Sequence, residues 1–250
     1  MPPGQDPGLP DTLAEGAAQL GCPLAPVQLA QLRSYRGLLQ RASRVHNLTA
    51  IHDEAAIDTL HLLDSLALVP AIDRHLAAAS ETERTAPPES ATPTILDVGS
   101  GAGLPGIVIA IARPHWRVAC LDAVAKKMRF VQQVAIELGL TNLAAVHARA
   151  EQAPAVGAEI VVSRAFASLA DFVAATRRHL RPSGVWVAMK GRVPDDEVAA
   201  LPSDVTVFHV EPLRVPGRLR YASDRGAHPT SPAFAARCRG TIGAHARPSS

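Results

Sequence analysis

A strand-type run from Thr94 to Val98 passes into Gly99-Ser100-Gly101-Ala102-Gly103, and a helical pattern opens near Pro105. Alternating glycines let the backbone turn sharply and approach a ligand closely, so this strand, loop and helix specify the first crossover of an open α/β sheet. The loop also satisfies G-x-G-x-x-G through Gly101, Gly103 and Gly106, and the acid Asp122 ends the next strand. A dinucleotide site therefore competes with an S-adenosylmethionine site, and a turn that serves only packing stands beside both. Two details favour adenosylmethionine. Asp97 places a carboxylate at the strand end, where a pyrophosphate would be repelled and a sulfonium ligand would not. Pro105 removes one N–H from the first helical turn, where a pyrophosphate would need such donors.

The rest of the chain extends that unit. Short apolar runs at 94–98, 116–121, 144–147, 159–162 and 185–189 alternate with helical patterns at 105–112, 124–139 and 168–180. Alternation of this kind predicts a doubly wound, mostly parallel sheet covered on both faces, of Rossmann-like type. Residues 205–210 read as one more strand. The apolar content of 47%, with only 4% aromatic, suits an aliphatic core.

Before the sheet, helical spacing over 27–45 places Arg33, Arg36, Arg41 and Arg44 on a polar face, either solvated or touching phosphate, and 54–79 reads as further helix. The domain map expected is a flexible tail over 1–25, a helical extension over 26–79, a Pro-rich linker over 80–93, the catalytic domain over 94–217, and a poorly ordered Arg-rich tail over 218–250. That tail region is basic: residues 212–250 hold seven Arg against the single Asp224, within a chain of net charge +2. A nucleic-acid surface on the core must therefore be a local patch.

Several classes are disfavoured. No apolar run approaches the roughly 20 residues of a membrane span, and no export signal is visible, so a cytoplasmic protein without membrane contact is expected. Cys22, Cys120 and Cys238 share no metal-ligand spacing, which argues against a disulfide framework and a zinc site, and no metal is expected.

Further candidates stand at strand ends. A carboxylate at Asp122 can accept the ribose hydroxyl protons of an adenosine, or merely cap the next helix. Ala150 and Glu151 follow the third strand, where a backbone N–H and a carboxylate would border the adenine, although Glu151 also reads as a surface acid. Arg164 follows the fourth strand and Lys190 the fifth, at the carboxyl edge where open sheets bind ligands, with a surface ion pair as the plain alternative. His61 beside Leu62 and Leu63 fits a packing residue as well as a catalyst, and Asn47 fits a turn cap.

The stretches NLTAI (47–51), HLLDSLAL (61–68), ILDVGSGAGLPGI (95–107), KKMRFVQQVAIELGL (126–140), SRAFASL (163–169) and AMKG (188–191) resemble the bacterial 16S rRNA guanine-N7 methyltransferases, once called glucose-inhibited division protein B. The resemblance covers about residues 25–216. It implies the S-adenosylmethionine-dependent methyltransferase fold with an N-terminal helical extension, and methylation of guanosine 527 in the 530 loop of 16S rRNA. It implies a pocket for S-adenosylmethionine, and for its product S-adenosylhomocysteine, at Gly99, Gly101, Leu104, Asp122, Ala150, Glu151 and Arg164. It also implies an RNA-side set at Asn47, His61, Pro105, Arg149, Arg164 and Lys190. The implied partner is 16S rRNA or a small-subunit particle, acted on by a monomer. After the Val-Pro-Gly at 215–217 the chain departs from the family, which usually adds a last apolar strand there.

Other methyl acceptors leave other traces. Amine methylation goes with an Asn or Asp followed by Pro-Pro and an aromatic after strand four, and this chain has Ser-Arg-Ala-Phe there. Carbon methylation would need a nucleophilic Cys, whereas Cys120 falls inside the second strand. The rival readings are a nicotinamide-dependent oxidoreductase and a non-catalytic ribosome assembly factor.

Overall fold

The computed structural model describes residues 12–46, 51, 53–82, 92–164, 166–190, 195–216 and 230–238. Among these, seven strands form one sheet in the order β3-β2-β1-β4-β5-β7-β6. They are β1 (Thr94–Val98), β2 (Arg117–Asp122), β3 (Leu143–His147), β4 (Ala158–Ser163), β5 (Leu180–Met189), β6 (Val205–Arg214) and β7 (Thr230–Cys238). The first five pair in parallel, and β7 runs antiparallel to both β5 and β6. The doubly wound α/β class expected from the alternating pattern is the one observed.

Strand alternation sends side chains to two layers. Ile95, Val118, Cys120, Ile160 and Val162 join a core covered by α6 (Gly106–Ala112), α7 (Ala125–Glu137) and the N-terminal helices, while Leu96, Val98, Leu121 and Val161 join one with Phe172 of α8 (Leu169–Thr176). Helix α6 is buried along its whole length, as its unbroken run Gly-Ile-Val-Ile-Ala-Ile-Ala requires.

The N-terminal extension shares the first core rather than standing apart from it. Its long helix α2 (Pro26–His46) caps two others: the Gln28 amide donates to the carbonyls of Ile111 and Ala112, and that of Gln31 to the carbonyl of Leu138. Further on, α3 (Glu54–Ile57), a π-helical turn (Asp58–Leu63), α4 (Asp64–Leu66) and α5 (Val69–Thr82) follow almost without a break. The run Glu54–Ala79 is long and apolar enough to cross a membrane, contrary to the expectation that no such run exists. Its most apolar window is 78% buried inside the protein, which identifies a core helix.

Both expected tails contain structure. Within 1–25, read as flexible, Thr12–Gln19 forms α1, with Leu13 and Ala17 buried against the core and Cys22 after them. The helical spacing of Leu13, Ala17 and Leu20 was hidden by Pro- and Gly-rich neighbours. Within 218–250, read as poorly ordered beyond a domain ending at 217, β7 inserts between β5 and β6. The signal was weak because Ala233, Ala235 and Ala236 lack β-branching, whereas ladder hydrogen bonds come from the backbone. The expected linker over 80–93 also begins late, since α5 runs to Thr82.

Candidate active site

The sheet order reverses between β1 and β4, and in open α/β sheets ligands bind at the carboxyl ends of such a pair. The Ser163 hydroxyl at the end of β4 donates to the carbonyl of Val98 at the end of β1, 2.8 Å away, and ties the two ends together. Gly99, Gly101 and Gly103 all have positive φ, a conformation that other residues adopt only with strain. A Cβ at Gly101 would meet open space, and a Cβ at Gly106 would lie 2.9 Å from Oδ2 of Asp97. Gly101 thus leaves room over the loop, while Gly106 lets α6 press onto β1.

The loop has few backbone donors to spare. The N–H groups of Gly99 and Ser100 donate to the carbonyl of Leu121, those of Gly103 and Leu104 to that of Ser100, and that of Ile107 to that of Gly103. Gly101 N–H donates to Oδ2 of Asp122 at 3.0 Å and Gly106 N–H to Oδ2 of Asp97 at 2.7 Å, while Pro105 has no N–H. A pyrophosphate would find almost nothing to hold it here.

Asp97 is fully buried, and its other oxygen, Oδ1, has no hydrogen-bond partner. Burial pushes its carboxyl up to about 7, against the lowering effect of the Gly106 bond and the Arg164 charge. An orphaned acceptor at a switch point wants a donor or a cation, and an amino acid ammonium supplies both. With the open space at Gly101, these residues fit S-adenosylmethionine and do not fit a dinucleotide. Among the described residues, no His, Cys, Asp and Glu cluster could hold a metal ion.

Asp122 is buried at the end of β2, with Oδ1 accepting from Val124 N–H at 2.9 Å and Oδ2 facing Lys127 Nζ at 3.4 Å. It holds the backbone just ahead of α7 at Val124 and braces the glycine loop at Gly101, and it makes no side-chain cap to α7 itself. Leu104 and Ala150 are buried, while Arg149 and Glu151 are exposed in the turn after β3.

Arg164 lies across the mouth toward the N-terminal extension. Its guanidinium is 3.4 Å from Ser65 Oγ, 3.4 Å from His61 Nδ1 and 3.6 Å from Oδ2 of the buried Asp64. His61 sits in the π-helical turn, a rare conformation often found at functional sites. Desolvation, then the Arg164 charge, lowers the imidazole to about 4, so it is neutral at physiological pH. Its Nδ1 is also 3.0 Å from the carbonyl of Leu60. If Nδ1 carries the proton for that carbonyl it cannot accept from Arg164, and the shorter contact favours this tautomer.

Lys190 is tied down. Its ammonium is 3.2 and 3.1 Å from the carbonyls of Phe166 and Ala167, and 2.6 Å from Oε2 of Glu197 in α9 (Asp195–Ala199). Three donors meet three acceptors, so this lysine anchors the segment after β4 as it stands. Arg36, from the basic face of α2, is likewise paired, to Asp58 at 2.5 Å and Glu54 at 3.4 Å. Asn47 lies outside the described residues.

The site's supports escaped the sequence reading. The Tyr35 hydroxyl donates to the carbonyl of Ala102, 2.8 Å away inside the glycine loop, and Asp64, Ser65 and Glu197 hold the two cations. Tyr35, Asp64 and Ser65 are far in sequence from their partners, whereas Glu197 stands near Lys190 along the chain but in a short helix that no local pattern links to it.

Residues 28–223 match the family model described as rRNA small subunit methyltransferase G. Three relatives bear the name ribosomal RNA small subunit methyltransferase G. That of Acidovorax sp. (strain JS42) is 52% identical over 82% of this chain and 88% of its own length. Those of Methylibium petroleiphilum and Acidovorax ebreus are 49% and 51% identical, over 82% and 84% of this chain and 87% and 90% of theirs. Among solved structures, a SAM-dependent methyltransferase from Aquifex aeolicus is 16% identical over 58% of this chain and 82% of its own, with a TM-score of 0.44.

Proposed function

The chain belongs to the rRNA small subunit methyltransferase G family, and we propose that it methylates N7 of a guanosine in the 530 loop of 16S rRNA. The observation that carries the cofactor assignment is Asp97, buried with an orphaned oxygen beside a loop most of whose N–H groups are already engaged. S-adenosylmethionine supplies a methyl group on a sulfonium and leaves as S-adenosylhomocysteine. Gly99, Gly101, Leu104, Asp122, Ala150, Glu151 and Arg164 would hold it, with Asp97 taking the ammonium and Asp122 the ribose hydroxyls.

The RNA-side set is Asn47, His61, Pro105, Arg149, Arg164 and Lys190. Guanine N7 carries a lone pair and no proton, so its attack on a methyl group requires no base, and catalysis rests on positioning. A neutral His61 suits that chemistry. A guanidinium forked onto O6 and N7 would occupy the nucleophile, so Arg164 serves O6, a phosphate or the methionine carboxylate. Lys190 reaches RNA only by giving up Glu197.

We infer a cytoplasmic monomer, with 16S rRNA or a small-subunit particle as substrate and no membrane or metal involved. Against the oxidoreductase reading stand the engaged loop donors, and against a non-catalytic assembly factor stands the retention of Asp97, Asp122 and Glu151. The test is incubation with methyl-labelled S-adenosylmethionine and, in separate reactions, free ribosomal RNA and ribosomal subunits from a strain deleted for this gene. Label in 16S and not in 23S rRNA is expected, and a folded protein that labels neither contradicts the assignment.

A further inference from the structure

Residues 149–153 close a turn after β3 in which the N–H groups of Gln152 and Ala153 both donate to the carbonyl of Arg149, each at 3.0 Å. The two carbonyls in the middle of the turn bond outside it. That of Ala150 accepts from Nε2 of His179 at 2.7 Å, and that of Glu151 from Nη1 of Arg178 at 2.7 Å. Both donors stand on the single 3-10 turn Arg177–His179 that joins α8 to β5. A peptide unit is planar and trans, so a partner that fixes the carbonyl of Ala150 also fixes the N–H of Glu151 on the opposite side. The carbonyl of Arg149, held within the turn, does the same for the N–H of Ala150. Two adjacent backbone donors are aimed in this way.

His179 is fully buried, and its Nδ1 has no hydrogen-bond partner. Because Nε2 faces a carbonyl it carries the proton, which leaves Nδ1 as a bare lone pair. A leucine would fill the space with no unpaired polar atom, so packing alone is a poor reason for an imidazole. What the imidazole adds is one directed bond to Ala150.

We propose that His179, assisted by Arg178, is a positioning residue that sets the 150–151 peptide to recognise the adenine edge of the cofactor. This rests on the reading of the cleft as an S-adenosylmethionine pocket. Neither residue touches the ligand; they act through Ala150 and Glu151. A backbone N–H aimed at adenine N1 donates to its lone pair and rejects hypoxanthine, which carries a proton there.

The measurement is calorimetric affinity for S-adenosylhomocysteine and for S-inosylhomocysteine, in the wild type and in His179→Leu, His179→Gln and Arg178→Met. The wild type should prefer the adenine ligand, and His179→Leu should reduce that preference about tenfold. His179→Gln should keep most of it, because a glutamine amide can donate to the same carbonyl. Arg178 is exposed, so Arg178→Met tests the turn without entering the core and should lower the preference by about threefold. Equal weakening of both ligands, or an unchanged preference in His179→Leu and Arg178→Met, overturns the proposal. A wild type that binds S-adenosylhomocysteine without preferring it also overturns the proposal, whereas one that does not bind it at all overturns the cofactor reading beneath.

Discussion

Asp97 and His61 both feel the Arg164 charge, and their shifted titrations make opposite demands on the fold. For Asp97, raised to about 7 by burial, the folded protein keeps a proton that the unfolded chain releases from about pH 4 upward. Its contribution to stability therefore declines as pH climbs to 7 and is constant above. For His61, lowered to about 4, the unfolded chain gains a proton below 6.5 that the folded protein refuses, so stability falls as pH drops from 6.5 to 4. Melting curves across that window should fall less steeply toward acid in His61→Gln than in the wild type. An unchanged slope would mean that His61 takes up its proton in the folded protein. Ligand binding gives the second test, since an ammonium is held by the ionised form of Asp97. Affinity for S-adenosylhomocysteine should rise about tenfold from pH 6 to pH 8 in the wild type and stay flat in Asp97→Asn. At this scale the strand-end residues Asp97, Asp122 and Arg164 were legible, because the crossover pattern fixes which residues reach the carboxyl edge. Tyr35 and Asp64 were not, since their partners are brought to them only by the completed fold.

The elements divide in the same way. Strands β1 to β5 and helices α6 to α8 were readable because hydrophobic period and turn residues agree there. β7 was not, because its alanines carry little strand preference and its pairing is supplied by two neighbours distant in sequence. Its place between β5 and β6 has a direct consequence. Truncation after Pro216 removes the strand that joins β6 to the rest of the sheet and should lower the melting temperature by about 10 °C or more. Truncation after Cys238 should leave it nearly unchanged. If truncation after Pro216 also leaves the melting temperature unchanged, β7 contributes nothing to the fold, and the expectation of a domain closed at 217 is restored.

For the whole molecule, the N-terminal extension and the sheet form one core, and the extension reaches the site through Tyr35, His61, Asp64 and Ser65. One side of the cleft is therefore the glycine loop with its two acids, and the other is the extension with its grip on Arg164. With the Asp97 carboxyl proposed to hold the cofactor ammonium and a neutral imidazole beside Arg164, this arrangement suits a methyl acceptor with a free lone pair. The most direct test is to treat small-subunit particles from the deletion strain with the purified protein and S-adenosylmethionine, then digest the 16S rRNA to nucleosides for mass spectrometry. Close to one 7-methylguanosine gained per 16S molecule, and no other methylated nucleoside, is the expected result. A methyl group on an exocyclic amine, a ribose or a base carbon, or none in the presence of bound cofactor, would contradict it.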